Sequence, residues 1–307
     1  LEANPVDLNI NKLSSLLKIG VNRLSIGIQS FSNSLLVKLG RNHNKETALK
    51  SIENTLKAGF KNFNVDLMYG IPSQSISQWQ NSLKKIKDFE INHLSTYNLT
   101  FEKGTPFYSW KKQGKITGLR DKKVEEMYFF QKDFLPKIGF NHYEISNWSK
   151  PKMESNHNLR YWSGNEYVGV GAGAHSYFNN QRFSNIKSPK KYIENMRIIH
   201  NHPNNNPLIG MSNIGMINEQ EILSNNDILF DRIMLSLRLI KGIIHKDINK
   251  DFNIDFSNKF NNLLSELTTL ELIEDNTEKT KLTDKGILIS NEITLKFFQE
   301  ICNPLHA

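Results

Sequence analysis

Three short apolar stretches dominate the first hundred residues. They are residues 23–30 (RLSIGIQS), 62–69 (NFNVDLMY) and 93–100 (HLSTYNLT). They recur about every 30 to 40 residues with helical patterns between them, which is the strand–helix–strand rhythm of a parallel sheet or barrel. Parallel neighbours cannot be joined by a hairpin, so each pair needs a crossover, and here the crossovers read as helices. Residues 45–58 place Ala48, Leu49, Ile52 and Leu56 on one face and stop at Gly59. Ile76, Trp79, Leu83 and Ile86 fall at helical spacing after the second strand.

The start of the chain fits the same rhythm. Residues 1–3 read as the last residues of a strand and 12–18 (KLSSLLK) as a short helix, so the chain is expected to begin inside a barrel already partly wound. It begins with Leu1 rather than Met and reads as part of a longer protein. Each expected strand carries a polar residue at its C-terminal end: Glu2, Gln29, Asp66 and Thr100. In α/β barrels that rim is where sites are built. One such residue alone reads as a solvated strand end; four on one rim point to a site.

The second half reads differently. A long amphipathic helix over 121–138 stops at Gly139, and HYEI (142–145) reads as a strand. HNLRYW (157–162) follows, then EYVGVGAGAHSYF (166–178), expected to be a strand running into a glycine-rich turn. Its G-x-G-x-G spacing at Gly169, Gly171 and Gly173 is not followed by an amphipathic helix, which excludes a Rossmann fingerprint. Residues 203–213 read as a linker. A helix over 219–240, another near 256–269, a hairpin over 270–283 and a last helix over 285–301 predict a small winged-helix-like domain. The expected division is a barrel with an extension over 1–205 and the C-terminal domain over 206–307.

Composition narrows the function classes. One cysteine, Cys302, excludes an intrachain disulfide or any site in this chain that needs several thiolates. No apolar run approaches the roughly 18 residues of a membrane span, and Glu2, Asp7, Lys12 and Lys18 interrupt any leader pattern, so a cytoplasmic protein is expected. The net charge of +8 comes from scattered lysines and arginines. Lys285 and Lys296 of the last helix are balanced by Glu292 and Glu300, so no nucleic-acid partner is expected.

Several segments in fixed order carry a resemblance: LEANP, VNRLSIGIQSF with LGRNH, VDLMYGIPSQ, YNLTFEKGTPFY, HYEISNW, HNLRYW, GVGAGAHSYF, IMLSLRLIKGI and KLTDKGILI. Together they resemble the radical S-adenosylmethionine proteins related to oxygen-independent coproporphyrinogen III oxidase, and most closely their HemW heme-chaperone subgroup. The resemblance implies an α/β fold, a partial parallel (β/α) barrel lacking its first strands, with a winged-helix-like domain after it. It implies S-adenosylmethionine bound by Glu2, Gln29, Arg41 and Asp66, with Thr100 and the backbone near His175. Arg41 reads alternatively as a surface arginine paired with Glu46. The resemblance also implies a [4Fe-4S] cluster and an electron donor for it. The family's C-x-x-x-C-x-x-C loop is absent from this chain, and its ligands are expected upstream of Leu1.

In that subgroup HNxxYW is tied to heme. The match here is His157, Asn158, Tyr161 and Trp162, with His157 as a candidate iron ligand. His142 is a rival ligand that reads more simply as strand-end packing, and His200 and His202 read as solvated linker residues. The resemblance implies a chaperone that passes heme to apo-hemoproteins. The alternatives are porphyrinogen oxidation by the radical route, or a cluster-less fragment with a binding role.

Overall fold

The computed structural model describes residues 1–201 and 216–302. The expected linker, the boundary at 205/206 and His202 lie outside the described residues, as does the side chain of His200. The chain forms two compact units, Leu1–Glu154 and Ser155–Ala307.

The first unit is built on a six-stranded sheet in the order β1-β2-β3-β4-β6-β5. Its strands are β1 (Glu2–Ala3), β2 (Leu24–Gln29), β3 (Phe63–Tyr69), β4 (His93–Asn98), β5 (Asn141–Glu144) and β6 (Asn147–Ser149). The first four run parallel, whereas β6 is antiparallel to β4 and to β5. The helices are α1 (Ile10–Lys18), α2 (Asn33–Lys38), α3 (Lys45–Lys57), α4 (Ile76–Ile86), α5 (Pro106–Lys112) and α6 (Asp121–Lys137). Every strand and long helix expected over the first 140 residues is present, with ends shifted by one or two residues.

Side chains alternate across a strand, so register decides what each face carries. Leu24, Ile26, Phe63, Val65, Leu67, Leu94 and Trp148 are buried and share one face. The other face carries Ser25, Asn64, Asp66, His93 and Ser95, aligned as Ser25 with Asn64, Asn64 with His93, and Asp66 with Ser95. The apolar face is covered by helices. Trp79 of α4 is fully buried, stands 5.3 Å from the Tyr69 ring and donates its indole N–H to the Met127 carbonyl of α6 at 3.0 Å. A capping box of Ser75 and Gln78 starts α4. On α3 the buried stripe is Ala48, Ser51, Ile52 and Thr55, with Leu49 and Leu56 only half-buried. The Ser51 and Thr55 hydroxyls donate to carbonyls of their own helix, Ala48 and Ser51, at 2.7 Å each, which satisfies them inside the buried stripe.

The second unit opens with α7 (Asn156–Trp162), then an antiparallel sheet of β7 (His175–Phe178), β8 (Gln181–Asn185) and β9 (Ile217–Ile222), with α8 (Pro189–Asn201) between the last two. Next come α9 (Asn225–Arg238), β10 (Ile243–Ile244), α10 (His245–Phe252), α11 (Phe256–Lys259) and α12 (Asn261–Thr269). β11 (Ile273–Asp275), β12 (Lys279–Leu282), α13 (Asp284–Leu288) and α14 (Ser290–Cys302) complete it, with a sheet order β10-β12-β11. Helices around a small antiparallel sheet agree with the winged-helix-like expectation.

Two expectations change. The order at 166–178 is inverted: Gly171 and Gly173 adopt positive φ (112° and 71°), so the strand follows the glycine turn. Residues 219–222 are strand, because the capping box of Ser224 and Asp227 starts the helix only at Asn225. Pairing of β8 with β9 and contact of α7 with α9 place residues 155–201 in the second unit, although the sequence division grouped them with the barrel.

The Trp79 contacts set the first testable outcome. Trp79→Ala should cost about 3–5 kcal/mol in urea unfolding, and Trp79→Phe should cost less while still losing the bond to Met127.

Candidate functional site

The rim begins where β2 ends. Gln29 sits in the left-handed region at φ 64°, after a register shift between Ile26 and Gln29. A non-glycine residue held there costs conformational energy, and such residues gather at functional sites. Gly27 makes the room. A Cβ on it would lie 3.0 Å from Gln29 Nε2 and 3.3 Å from Arg41 Nη2. Arg41 Nη2 donates to Asn4 Oδ1 at 2.6 Å and to the Gly27 carbonyl at 3.3 Å, so its partners are on the rim rather than at Glu46. Its Nε is buried with no hydrogen-bond partner. The end of β1, the end of β2 and Arg41 thus converge, with the buried guanidinium Nε–H left without a partner.

Asp66 lies one strand further on. Ser25 Oγ donates to its Oδ2 at 3.1 Å, Asn64 Nδ2 to its Oδ1 at 2.7 Å, and Ser95 adds a third hydrogen bond. These donors come from β2, β3 and β4. Burial nonetheless pushes the carboxyl above its ordinary range; the three hydrogen bonds oppose the shift, and the charge of exposed Glu2 adds to it. Tyr97 of β4 is held high by burial, with Asp66, Glu144 and Glu2 contributing, which marks the three carboxylates as neighbours of one phenol. Below Asp66, His93 Nδ1 meets Asn64 Oδ1 at 2.8 Å and His93 Nε2 meets the Tyr143 hydroxyl at 2.7 Å. Burial, then the charge of Arg23, pushes the imidazole down to about 3.

The first unit therefore brings together Glu2, Gln29, Arg41 and Asp66. Thr100 lies two residues beyond β4 and is exposed. His175 opens β7 in the second unit and is exposed. Asn64, Ser25, Ser95 and Tyr97 were not among the sequence candidates; only the alternation of polar residues along β3 and β4 pointed to them.

HNLRYW forms α7, capped by Ser155, whose Oγ accepts from the Asn158 N–H at 3.4 Å. One turn apart, His157 and Tyr161 meet edge-on, with ring centroids 4.9 Å apart at 79°. Tyr161 in turn meets Tyr167 at 4.5 Å. His157 is exposed, so it heads an aromatic ladder open to solvent. Trp162 points elsewhere: the Arg238 guanidinium lies over its ring at 4.5 Å, and Arg232 donates to the Ser163 carbonyl. The following glycine loop is braced. Asn185 Nδ2 donates to the Gly169 and Gly171 carbonyls, Gly169 N–H donates to Ser176 Oγ, and Gly171 N–H donates to the Tyr192 hydroxyl. His142 stacks on Trp148 at 3.9 Å and 9°, a packing arrangement.

Comparison with known proteins decides the family. The family model described as the Radical SAM superfamily matches residues 1–86, and the HemN C-terminal domain matches residues 223–289. Heme chaperone HemW of Lactococcus lactis subsp. lactis (strain IL1403) is 32% identical over 303 residues, 99% of this chain and 76% of that protein. Heme chaperone HemW of Bacillus subtilis (strain 168) is 33% identical over 301 residues, 98% of this chain and 76% of that protein. The chain belongs to the HemW family. Among solved structures, coproporphyrinogen III oxidase (HemN) from Escherichia coli, a radical SAM enzyme, superposes with a TM-score of 0.75 at 20% identity, over 96% of this chain and 68% of that one. This shows that the HemW-type chain has the radical SAM fold.

The superfamily implies S-adenosylmethionine and a [4Fe-4S] cluster. The residues here do not fit the cluster. Cys302 is exposed on α14, and among the described residues no group of three or more His, Cys, Asp or Glu is arranged to hold a metal ion. The rim does fit S-adenosylmethionine: an Arg41 Nε–H without a partner and two carboxylates match a ligand with a carboxylate, an ammonium and ribose hydroxyls.

Two outcomes follow. Asp66 has a folded-state pKa above its unfolded value, so its ionised form costs stability, and that cost sets in as pH rises through the folded pKa. Asp66→Asn should therefore raise the melting temperature of the unliganded chain at pH 7, with the gain vanishing in acid. His93 has the opposite sign, because the folded state binds fewer protons than the unfolded one between about 6.5 and about 3. Wild type should lose stability as pH falls across that window, and His93→Asn should flatten the slope of the urea midpoint against pH.

Proposed function

We propose that this chain binds heme at α7 and passes it to apo-hemoproteins, a reading supported by its relatives being named heme chaperones. The observation that carries the reading is the exposed His157 at the head of the His157–Tyr161–Tyr167 ladder. Heme is the cargo. A histidine nitrogen is a common axial ligand to heme iron, and the tyrosine rings offer a surface for the porphyrin. Exposed Arg160 offers a cation for a propionate. Asn158 lies in the first turn of α7, where its backbone meets the Ser155 cap, and Trp162 anchors the helix under Arg238.

S-adenosylmethionine is assigned to the rim. Arg41 would take its carboxylate, Glu2 and Asp66 its ammonium or ribose hydroxyls, and Gln29 a further polar contact. Thr100, just beyond β4, completes the set assigned within the first unit; His175 belongs to the second unit. Bound there, the cofactor would serve heme loading or release rather than porphyrin oxidation. Since the residues of this chain do not fit the cluster, the reading includes no step on it; an electron donor enters only with a cluster whose ligands are supplied from elsewhere. The oxidase alternative has the shared fold with HemN in its favour, whereas α7 and the HemW relatives favour the chaperone. Among the described residues no helix is long and apolar enough to cross a membrane, and we place the protein in the cytoplasm.

A heme titration followed at the Soret band tests this. Saturable wild-type binding is expected, weakened at least about tenfold by His157→Ala, equivalent to ~1.4 kcal/mol. Equal binding by both would remove His157 from the site, and no saturable binding by wild type would overturn the heme reading for this chain.

A further inference from the structure

The polar face of the sheet holds one side chain that touches nearly every group around Asp66. Asn64 Nδ2 lies 2.7 Å from Asp66 Oδ1, 2.7 Å from Ser25 Oγ and 2.9 Å from Ser95 Oγ. Its Oδ1 lies 2.8 Å from His93 Nδ1. The reverse amide orientation would set a carbonyl oxygen against a carboxylate oxygen at that distance, so the nitrogen faces Asp66. Oδ1 can only accept, so neutral His93 carries its proton on Nδ1. Its Nε2 is then the acceptor, and the Tyr143 hydroxyl donates to it.

The consequence reaches the serines. Asn64 Nδ2 carries two hydrogens for three oxygens, so one hydrogen is shared, and the amide nitrogen accepts nothing. Neither serine hydroxyl can donate to it, and each keeps its own proton for Asp66. A hydroxyl alone rotates freely and donates or accepts as its neighbours dictate. One amide therefore orients three donors from three strands toward one carboxylate. We infer that Asn64, its orientation locked by His93 and Tyr143, is the positioning residue that holds the Asp66 carboxylate for S-adenosylmethionine. This inference rests on the rim assignment above.

The other groups around Asp66 do not take over the role. Glu2 on β1 repels the charge. Tyr97 on β4 hydrogen-bonds Ser95 as well as standing near Asp66, Glu144 and Glu2, but among the described residues it bonds neither Ser25 nor Asn64, so it reaches one of the two serines only. Arg23, just before β2, favours the carboxylate only at a distance, and its Nη1 donates to Asn62. His93 is neutral and turned toward Asn64. Removing Asn64 takes a hydrogen bond from the ionised form and frees both serine hydroxyls to turn away, so Asp66 should hold its proton to higher pH.

The test is calorimetric titration of the full chain with S-adenosylmethionine between pH 5 and 8.5, with circular dichroism to check folding. Four variants are compared with wild type: Asn64→Leu, His93→Leu, His93→Asn and Asp66→Asn. Asn64→Leu is expected to weaken binding about tenfold at pH 7.5, ~1.4 kcal/mol, and to move the pH midpoint of binding upward. His93→Leu should do the same more weakly. His93→Asn, which returns a donor toward Asn64 Oδ1, should restore both values. Should Asn64→Leu fail to fold, the two His93 variants carry the test. Unchanged affinity and midpoint in Asn64→Leu, or equal behaviour of His93→Leu and His93→Asn, would overturn the positioning role alone. Absence of binding by wild type, or full binding by Asp66→Asn, would overturn the rim assignment and the inference with it.

Discussion

A half-buried carboxylate on one face of a parallel sheet is the constraint around which the first unit is organised. Water cannot fully solvate Asp66, so the protein must supply the donors, and a buried acceptor left without them is expensive. Ser25, Asn64 and Ser95 do this from three neighbouring strands. Each stands where it does because the strands are in register: Ser25 beside Asn64, and Asp66 beside Ser95. A slip of one residue would turn these polar groups toward Trp79 and the helices and turn Val65 and Leu67 into the polar interior. The apolar core and the site are therefore specified by one choice of register. Burial of Leu24, Ile26, Phe63 and Val65 under the helices is what holds the donors on Asp66.

That dependence explains what was legible beforehand. The strands, α4 and α6 follow from local periodicity, and Glu2 and Gln29 stand at strand ends; Asp66, expected at the end of its strand, lies in the middle of β3 because that strand runs on to Tyr69. Asn64, Ser25 and Ser95 meet only across strands, through contacts separated by 39 and 31 residues, and local patterns carry no record of that. The polar alternation N-V-D in β3 hinted at a polar face without naming its partners. Two other differences are local competitions. At 217–238 a run of mixed residues admits either strand or helix, and the Ser224–Asp227 capping box decides where the helix begins. At 166–178 the positive φ of Gly171 and Gly173 moves the strand downstream of the turn.

The second unit shows the same split between local and non-local information. His157 and Tyr161 are four apart, so their meeting on α7 follows from helical geometry once the segment is known to be helical. Tyr167 joins them from beyond the helix, through a backbone bridge in which its N–H donates to Tyr177 O at 2.8 Å. The sequence motif ends at Trp162 and does not include it. Trp162 shows the converse: it belongs to the motif yet packs under Arg238, so a motif residue can serve the helix rather than its exposed face.

The rim also departs from what folding alone would favour, and the departures lie at one edge of the sheet. Gln29 holds a left-handed backbone where glycine would be unstrained. Arg41 leaves its Nε buried without a partner. Asp66 is kept ionisable where burial favours its neutral form. Gly27 gives up a side chain so that Gln29 and Arg41 can close over its backbone. Gly27 is coupled to Gln29 and Arg41, which crowd the place of its missing Cβ, whereas no contact to them requires the carboxylate of Asp66. An apolar strand end, a lysine in solvent and a serine at position 66 would each relieve one of them. A ligand offering a carboxylate to Arg41 and hydrogen-bond donors to Asp66 would satisfy two at once. Costs that meet at one place, and that one ligand can offset, are the physical mark of a binding site held ready by its scaffold.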